Sequence, residues 1–158
     1  IEANESMVRF TSGDDITFVC KKMAGQYPNY NSVIPKNNPY TVVVDKRELA
    51  SVVKRVALFS SESSNMIVLK KEGMFLDVEA QDIDFSMAAN DQVIITDSTC
   101  PEDHCIAFKA SSLLDSLAPI PSDTICLHLG DPSRAGVITA NESSPRALTL
   151  LMPMILEE

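Results

Sequence analysis

Two stretches decide the fold: Val42–Val53, VVVDKRELASVV, and Ile106–Leu117, IAFKASSLLDSL. Each opens with three apolar or small residues suited to a strand and crosses a polar junction. Each then continues with apolar residues three and four apart, the period of one helix face. Laid over one another, they match Leu49 to Leu113 and Val53 to Leu117. The chain therefore reads as one strand-helix unit used twice.

Around the first copy, Asp45 stands at the strand-helix junction with Glu48 three residues on. A carboxylate in that position accepts from an unpaired N–H of the first turn. At about 100° per residue, Leu49, Val52, Val53 and Val56 share one arc, while Lys46, Arg47, Lys54 and Arg55 lie broadly opposite. Beyond the helix, NMIVLKKEGMFLDVEAQDIDFSMAAND (65–91) predicts a strand, a Glu-Gly turn, a second strand and a third. QVIITDST (92–99) predicts a separate fourth. After the second copy, TICLHLGDPSRAGVITANESSPRALTLLMPM (124–154) again gives strand, turn, strand, turn, strand, the last over 147–151. Two such units, each with one amphipathic helix on a short antiparallel sheet, imply an α+β domain with both helices on one face.

Upstream, SMVRFTSGDDITFVCKKM (6–23) predicts a hairpin about Ser12-Gly13-Asp14-Asp15. AGQYPNYNSVIPKNNPY (24–40) carries Pro28, Pro35 and Pro39 among several Asn and reads as an extended connector, with a domain boundary near Pro35 to Pro39. The chain opens at Ile1 in residues that read as the interior of a longer polypeptide.

A chain of 158 residues with 45% hydrophobic content suits one ordinary domain plus a piece of another. The net charge of −9 argues against a uniformly basic nucleic-acid binder and leaves only a local basic face as a route to phosphate. No run approaches the ~20 apolar residues of a membrane span, so a soluble, cytoplasmic protein is expected. Cys20, Cys100, Cys105 and Cys126 are too sparse for a disulfide scaffold and are expected as reduced thiols. CPEDHC places Cys100, His104 and Cys105 together, and Cys126 and His128 could join them around zinc, yet the spacing lacks the paired clips of structural zinc sites. No cofactor or metal is therefore expected. With two His, five Gly and no phosphate loop, GxSxG or HExxH pattern, no enzymatic mechanism assembles. Asp82 and Asp84 alternate near a turn as solvated residues do.

Three features admit a bland and a functional reading. The basic face of the first helix is a solvated surface or a sequence-independent contact with a phosphate backbone, since it offers no Asn or Gln to read base edges. Leu58 and Phe59 are a helix end buried under the next loop, or a subunit contact. The apolar connector around Tyr27, Pro28, Tyr30, Val33 and Ile34, together with the tail LLMPMIL, either ties two domains together or forms a wall that accepts peptides.

GQYPNYNSVIP followed by strand and helix, and an ending in LLMPMIL, resemble the bacterial DNA polymerase III beta subunit, the sliding-clamp family, along the whole chain. The resemblance implies a DNA-clamp fold in which residues 1–35 are the last strands of a middle domain plus the connector. Residues 36–158 are then a complete third domain. It implies a non-catalytic processivity factor: a head-to-tail homodimeric ring around duplex DNA, with this piece alone monomeric. Lys46, Arg47, Lys54 and Arg55 would face DNA, and Leu58 and Phe59 would lie at the ring interface. Pro28, Ser32, Val33, Leu150, Met152, Pro153 and Met154 would line a groove for short linear peptides of the polymerase III catalytic subunit, the clamp loader and repair polymerases. Ser32 stands where the family often has a basic residue, Ile155 where Arg is frequent, and Glu157 and Glu158 run past the usual end. A free-standing peptide-binding adaptor of the same fold is the runner-up, and a metal-dependent enzyme the third reading.

Overall fold

The computed structural model describes residues 1–142 and 147–156, so Glu157 and Glu158 lie outside the described residues. The chain forms two compact units, Ile1–Asn31 and Ser32–Glu158. The first is an antiparallel meander of β1 (Glu2–Ala3), β2 (Met7–Ser12) and β3 (Ile16–Lys21). Its hairpin closes where expected, with Ser12 opposite Ile16. Gly13 has φ +60° and open space where a side chain would sit, so glycine is there for the backbone conformation and not for room. Phe10 and Phe18 pair across the strands, ring centroids 6.2 Å apart.

The second unit runs β4 (Tyr40–Asp45), α1 (Lys46–Val56), a 3-10 turn (Ala57–Phe59), β5 (Met66–Glu72), β6 (Phe75–Asp82) and β7 (Met87–Ser98). It then repeats the pattern as β8 (Cys105–Lys109), α2 (Ala110–Leu117), β9 (Thr124–Leu129), β10 (Gly136–Ala140) and β11 (Leu148–Leu151). All eight strands join one antiparallel sheet in the order β11-β10-β9-β4-β7-β6-β5-β8. The fold is thus α+β with two strand-helix-strands repeats, as the internal match predicts.

The matched positions share one core. Leu49, Val52, Val53 and Val56 of α1 and Leu113 and Leu117 of α2 are buried with Val42, Val44, Ile67, Leu69, Ile106, Ile125 and Leu127. Each such side chain removed from water contributes about 1.5–3 kcal/mol, which outweighs the short length of both helices. The helix starts differ. The Asp45 side chain accepts from Glu48 N at 2.8 Å. Lys109 gives α2 no side-chain cap. Instead Asn65, at φ +49°, accepts from Ala110 N through its carbonyl at 2.8 Å and from Ser111 N through Oδ1 at 3.0 Å.

QVIITDST is no separate strand. It is the second half of the 12-residue β7, which pairs with β6 from Met87 to Ile94 and with β4 from Ile95 to Ser98, with a slip in register at Val43/Val44. The polar Asn90-Asp91-Gln92 that suggests a break lies within the ladder, because alternate side chains leave opposite faces. The second repeat ends less regularly. After β11, Pro153 has no N–H to continue a ladder. Met154 N then donates to Ala107 O at 2.8 Å, a single bridge on the outer edge of β8.

Candidate functional site

The four cations of α1 project from the helix opposite its buried arc, yet they differ in what they meet. Lys46 is half-buried and its Nζ donates to the carbonyl of Ile120 at 2.7 Å. Arg47 lies 3.2 Å from Asp123, both exposed. Arg55 donates to Asp91 from Nε (3.0 Å) and Nη2 (2.6 Å), and from Nη1 to Ser51 (2.7 Å). The Arg55 guanidinium, helped by the Gln92 N–H, holds the Asp91 carboxyl below the ordinary range. Lys54 is exposed and has no hydrogen-bond or ion-pair partner among the described residues. The exposed polar side chains of α2 include Ser111 and Asp115, and that helix carries no Lys or Arg. Asp91 and Asp123 escape a sequence reading because they lie on other elements, and only the folded sheet brings them to α1.

Leu58 and Phe59 occupy the 3-10 turn that extends α1 and are 78% and 41% exposed, so no following loop covers them. The turn packs beside β6 and β7. Ser60 closes it, its Oγ donating to Ala57 O at 2.8 Å. The β6–β7 turn carries two further exposed apolar side chains, Ile83 and Phe85. Asp82 there is buried and accepts from Phe85 N at 3.2 Å, which makes it a turn cap in place of the solvated residue its alternation suggests.

At the chain end, Leu150, Pro153 and Met154 are half-buried while Met152 and Ile155 are exposed. Ser32 and Val33 are exposed and belong to the same compact unit as this tail, and Pro28 belongs to the N-terminal one. The connector includes a 3-10 turn, Tyr30–Ser32, whose Tyr30 ring meets that of Tyr27 edge-on with centroids 6.3 Å apart. Beside the tail lies an open recess of about 770 Å³. Val68, Glu79 and Asn90 are neighbours on its sheet face, and Met154, Ile155 and Leu156 close one side. The strand alternation that builds it is visible in the sequence, but the tail's position over it is not.

Cys100 and Cys126 are buried, and Cys105, His104 and His128 are half-buried. Burial pushes the Cys100 thiol up to about 11 and raises those of Cys105 and Cys126. Burial lowers the pKa of both His104 and His128. His104 sits on the Tyr40 ring at 5.0 Å, and His128 shares a 3.1 Å hydrogen bond with Thr139. Among the described residues, no three His, Cys, Asp or Glu side chains converge as a metal site would require. Among the described residues, no helix is long and apolar enough to cross a membrane.

The family model described as "DNA polymerase III beta subunit, C-terminal domain" matches residues 31–155. The beta sliding clamp of Synechocystis sp. is 29% identical over 140 residues, covering 86% of this chain and 34% of that protein. That of Pseudomonas aeruginosa is 27% identical over 149 residues, covering 94% of this chain and 39% of that protein. Among solved structures, the P. aeruginosa sliding clamp bound to griselimycin superposes with a TM-score of 0.87 at 26% identity, covering 96% of this chain and 40% of that one. The Bartonella birtlesii sliding clamp bound to griselimycin gives 0.85 at 28%, with 97% and 40% covered. This chain thus spans about a third to two fifths of the length of the relatives it matches.

Proposed function

Since the chain belongs to the DNA polymerase III beta-subunit family, matched through its C-terminal domain, we propose that it is the last part of a sliding clamp, a non-catalytic processivity factor. In this reading residues 1–35 end a middle clamp domain and 36–158 form the third. Two longer chains close head to tail around duplex DNA, so the tether is topological and needs no base readout. The α1 face of Lys46, Arg47, Lys54 and Arg55 is turned to the DNA. Leu58 and Phe59 contribute apolar area to the ring interface. Pro28, Ser32, Val33, Leu150, Met152, Pro153 and Met154 belong to a surface for short linear peptides of the polymerase, the clamp loader and repair polymerases. The site of action is the cytoplasm.

The observation that carries this reading is the doubled strand-helix-strands fold, matched by sliding clamps over nearly the whole chain. The exposure of the adjacent Leu58 and Phe59 is consistent with it, since a second surface could cover both. The test is topological. The ring-forming polypeptide is loaded on nicked circular DNA and passed through a sizing column in high salt. It should stay with the circle and fall off once a restriction enzyme opens it. Equal loss from circle and linear DNA would refute the clamp reading.

A further inference from the structure

We infer that Lys54 is the one α1 cation that attracts DNA phosphate, while Arg47 and Arg55 are neutralised within the fold and Lys46 is turned to a backbone carbonyl. This rests on the reading that α1 faces the duplex. The sequence presents four equivalent cations on one helix face, and the folded chain makes them unequal.

Arg55 commits three donors to neighbouring side chains, two to Asp91 and one to Ser51. Arg47 lies against Asp123. A cation beside its own carboxylate projects the field of a dipole, not of a charge. Although such an exposed pair is weak in itself, at about 0–1 kcal/mol, its net charge is zero whether it is closed or open. A phosphate that recruits Arg55 must leave Asp91 exposed beside it. The exchange trades one anion for another and releases no net counterion, which is the term that drives phosphate binding. Lys46 Nζ donates to Ile120 O, the carbonyl of the loop that follows α2, which also accepts from Ser122 N at 2.9 Å, so reaching outward costs half-buried Lys46 its own hydrogen bond and a contact that joins α1 to that loop. Lys54 alone is exposed, without a partner among the described residues. α2 adds no cation and places Asp115 on its exposed side. One phosphate contact from each α1 is a loose grip, suited to a ring that must hold DNA and still move along it.

The test is the salt dependence of binding. Fluorescence anisotropy of a labelled duplex, titrated with the ring-forming polypeptide across a salt series, gives the slope of log K against log salt. Lys54→Ala should make the slope shallower by about 0.9 per copy. The double variant Arg55→Ala/Asp91→Ala should leave it unchanged, and Asp91→Asn, which frees Arg55, should steepen it by about the same 0.9. A double variant that flattens the slope as Lys54→Ala does would overturn the assignment to Lys54 and keep α1 on the DNA. Slopes unmoved in all three variants would overturn the placement of α1 against DNA itself. Asp91→Asn is nearly isosteric and carries the test if the double variant does not fold.

Discussion

The first repeat, β4 to β7, and the second, β8 to the tail, reach one architecture from different local chemistry. The first is written locally. Asp45 caps its helix from the adjacent position, and β7 is one continuous strand that pairs with β6 and then β4. The second depends on remote parts. Asn65 caps α2 from before β5, and the last strand stops at Leu151, so that Met154 returns to β8 by one bridge across Pro153. The repeats agree where side chains are buried and diverge where they end or face solvent. A shared core constrains shape, whereas caps and surfaces can change sides without altering the fold.

The largest test of that agreement lies in the core. Leu49 is fully buried and its counterpart Leu113 is 1% exposed. Leu49→Ala and Leu113→Ala should each cost about 2–5 kcal/mol, from lost transfer energy and the cavity left behind. Urea denaturation of the 158-residue chain reads both. Similar losses, each with one cooperative transition, are expected because both side chains belong to one core. A small loss at Leu113 alone would mean that the second repeat is not equally fixed in it.

The caps give the next effect and separate the repeats. Asp45→Ala removes one acceptor and should cost about 0.5–2 kcal/mol. Asn65→Ala removes the side-chain acceptor for Ser111 N and also puts alanine at φ +49°, so its cost should be the greater. Asn65→Gly keeps the backbone conformation and loses only the Oδ1 acceptor and the weak Nδ2 contact with Ser60. Thermal melts should rank the wild type above Asn65→Gly and Asn65→Gly above Asn65→Ala. If glycine and alanine destabilise equally, backbone strain has no part in the second cap.

The same contrast explains what the sequence discloses. The repeat, the buried arcs of both helices, the N-terminal hairpin and the Asp45 cap are legible because each follows from residues a few positions apart. The length of β7 is not, because the polar Asn90-Asp91-Gln92 divides it into two predicted strands, whereas the β6 ladder runs through all three. The charge on α1 is legible residue by residue but not as a sum, since the carboxylates that offset it come from β7 and from the loop before β9. The exposure of Leu58 and Phe59 turns on whether the chain after Ser60 folds back over them, which a helical wheel does not contain.

The smallest effect belongs to the junction between the repeats, where the loop after β7 is strapped to β5. Lys71 N donates to His104 O and Asp103 N to Lys71 O, each at 3.1 Å. The Lys71 ammonium, largely buried, pairs with Glu102, whose other oxygen accepts from Gly73 N at 2.9 Å. The Lys71 hydrogen bond, and after it the Gly73 N–H, hold the Glu102 carboxyl below its ordinary 4.5. A carboxyl depressed in the folded state adds stability above its unfolded value and loses it as pH falls through the folded one. Acidification from about 4.5 downward should therefore loosen this strap and leave Lys71 without its counter-charge. Asp77 works the other way, because burial raises its pKa and acid favours its neutral form in the fold. Glu102→Gln keeps an acceptor for Gly73 N and removes the titration, so the urea midpoint should fall less steeply with acid than in the wild type. Asp91, depressed by Arg55, and Glu72, depressed by Lys70, in the first repeat, and Asp131, depressed by Ser133, in the second should leave a residual acid slope in that variant. An acid limb unchanged by Glu102→Gln would assign the acid sensitivity to those other carboxylates and not to the join between the two repeats.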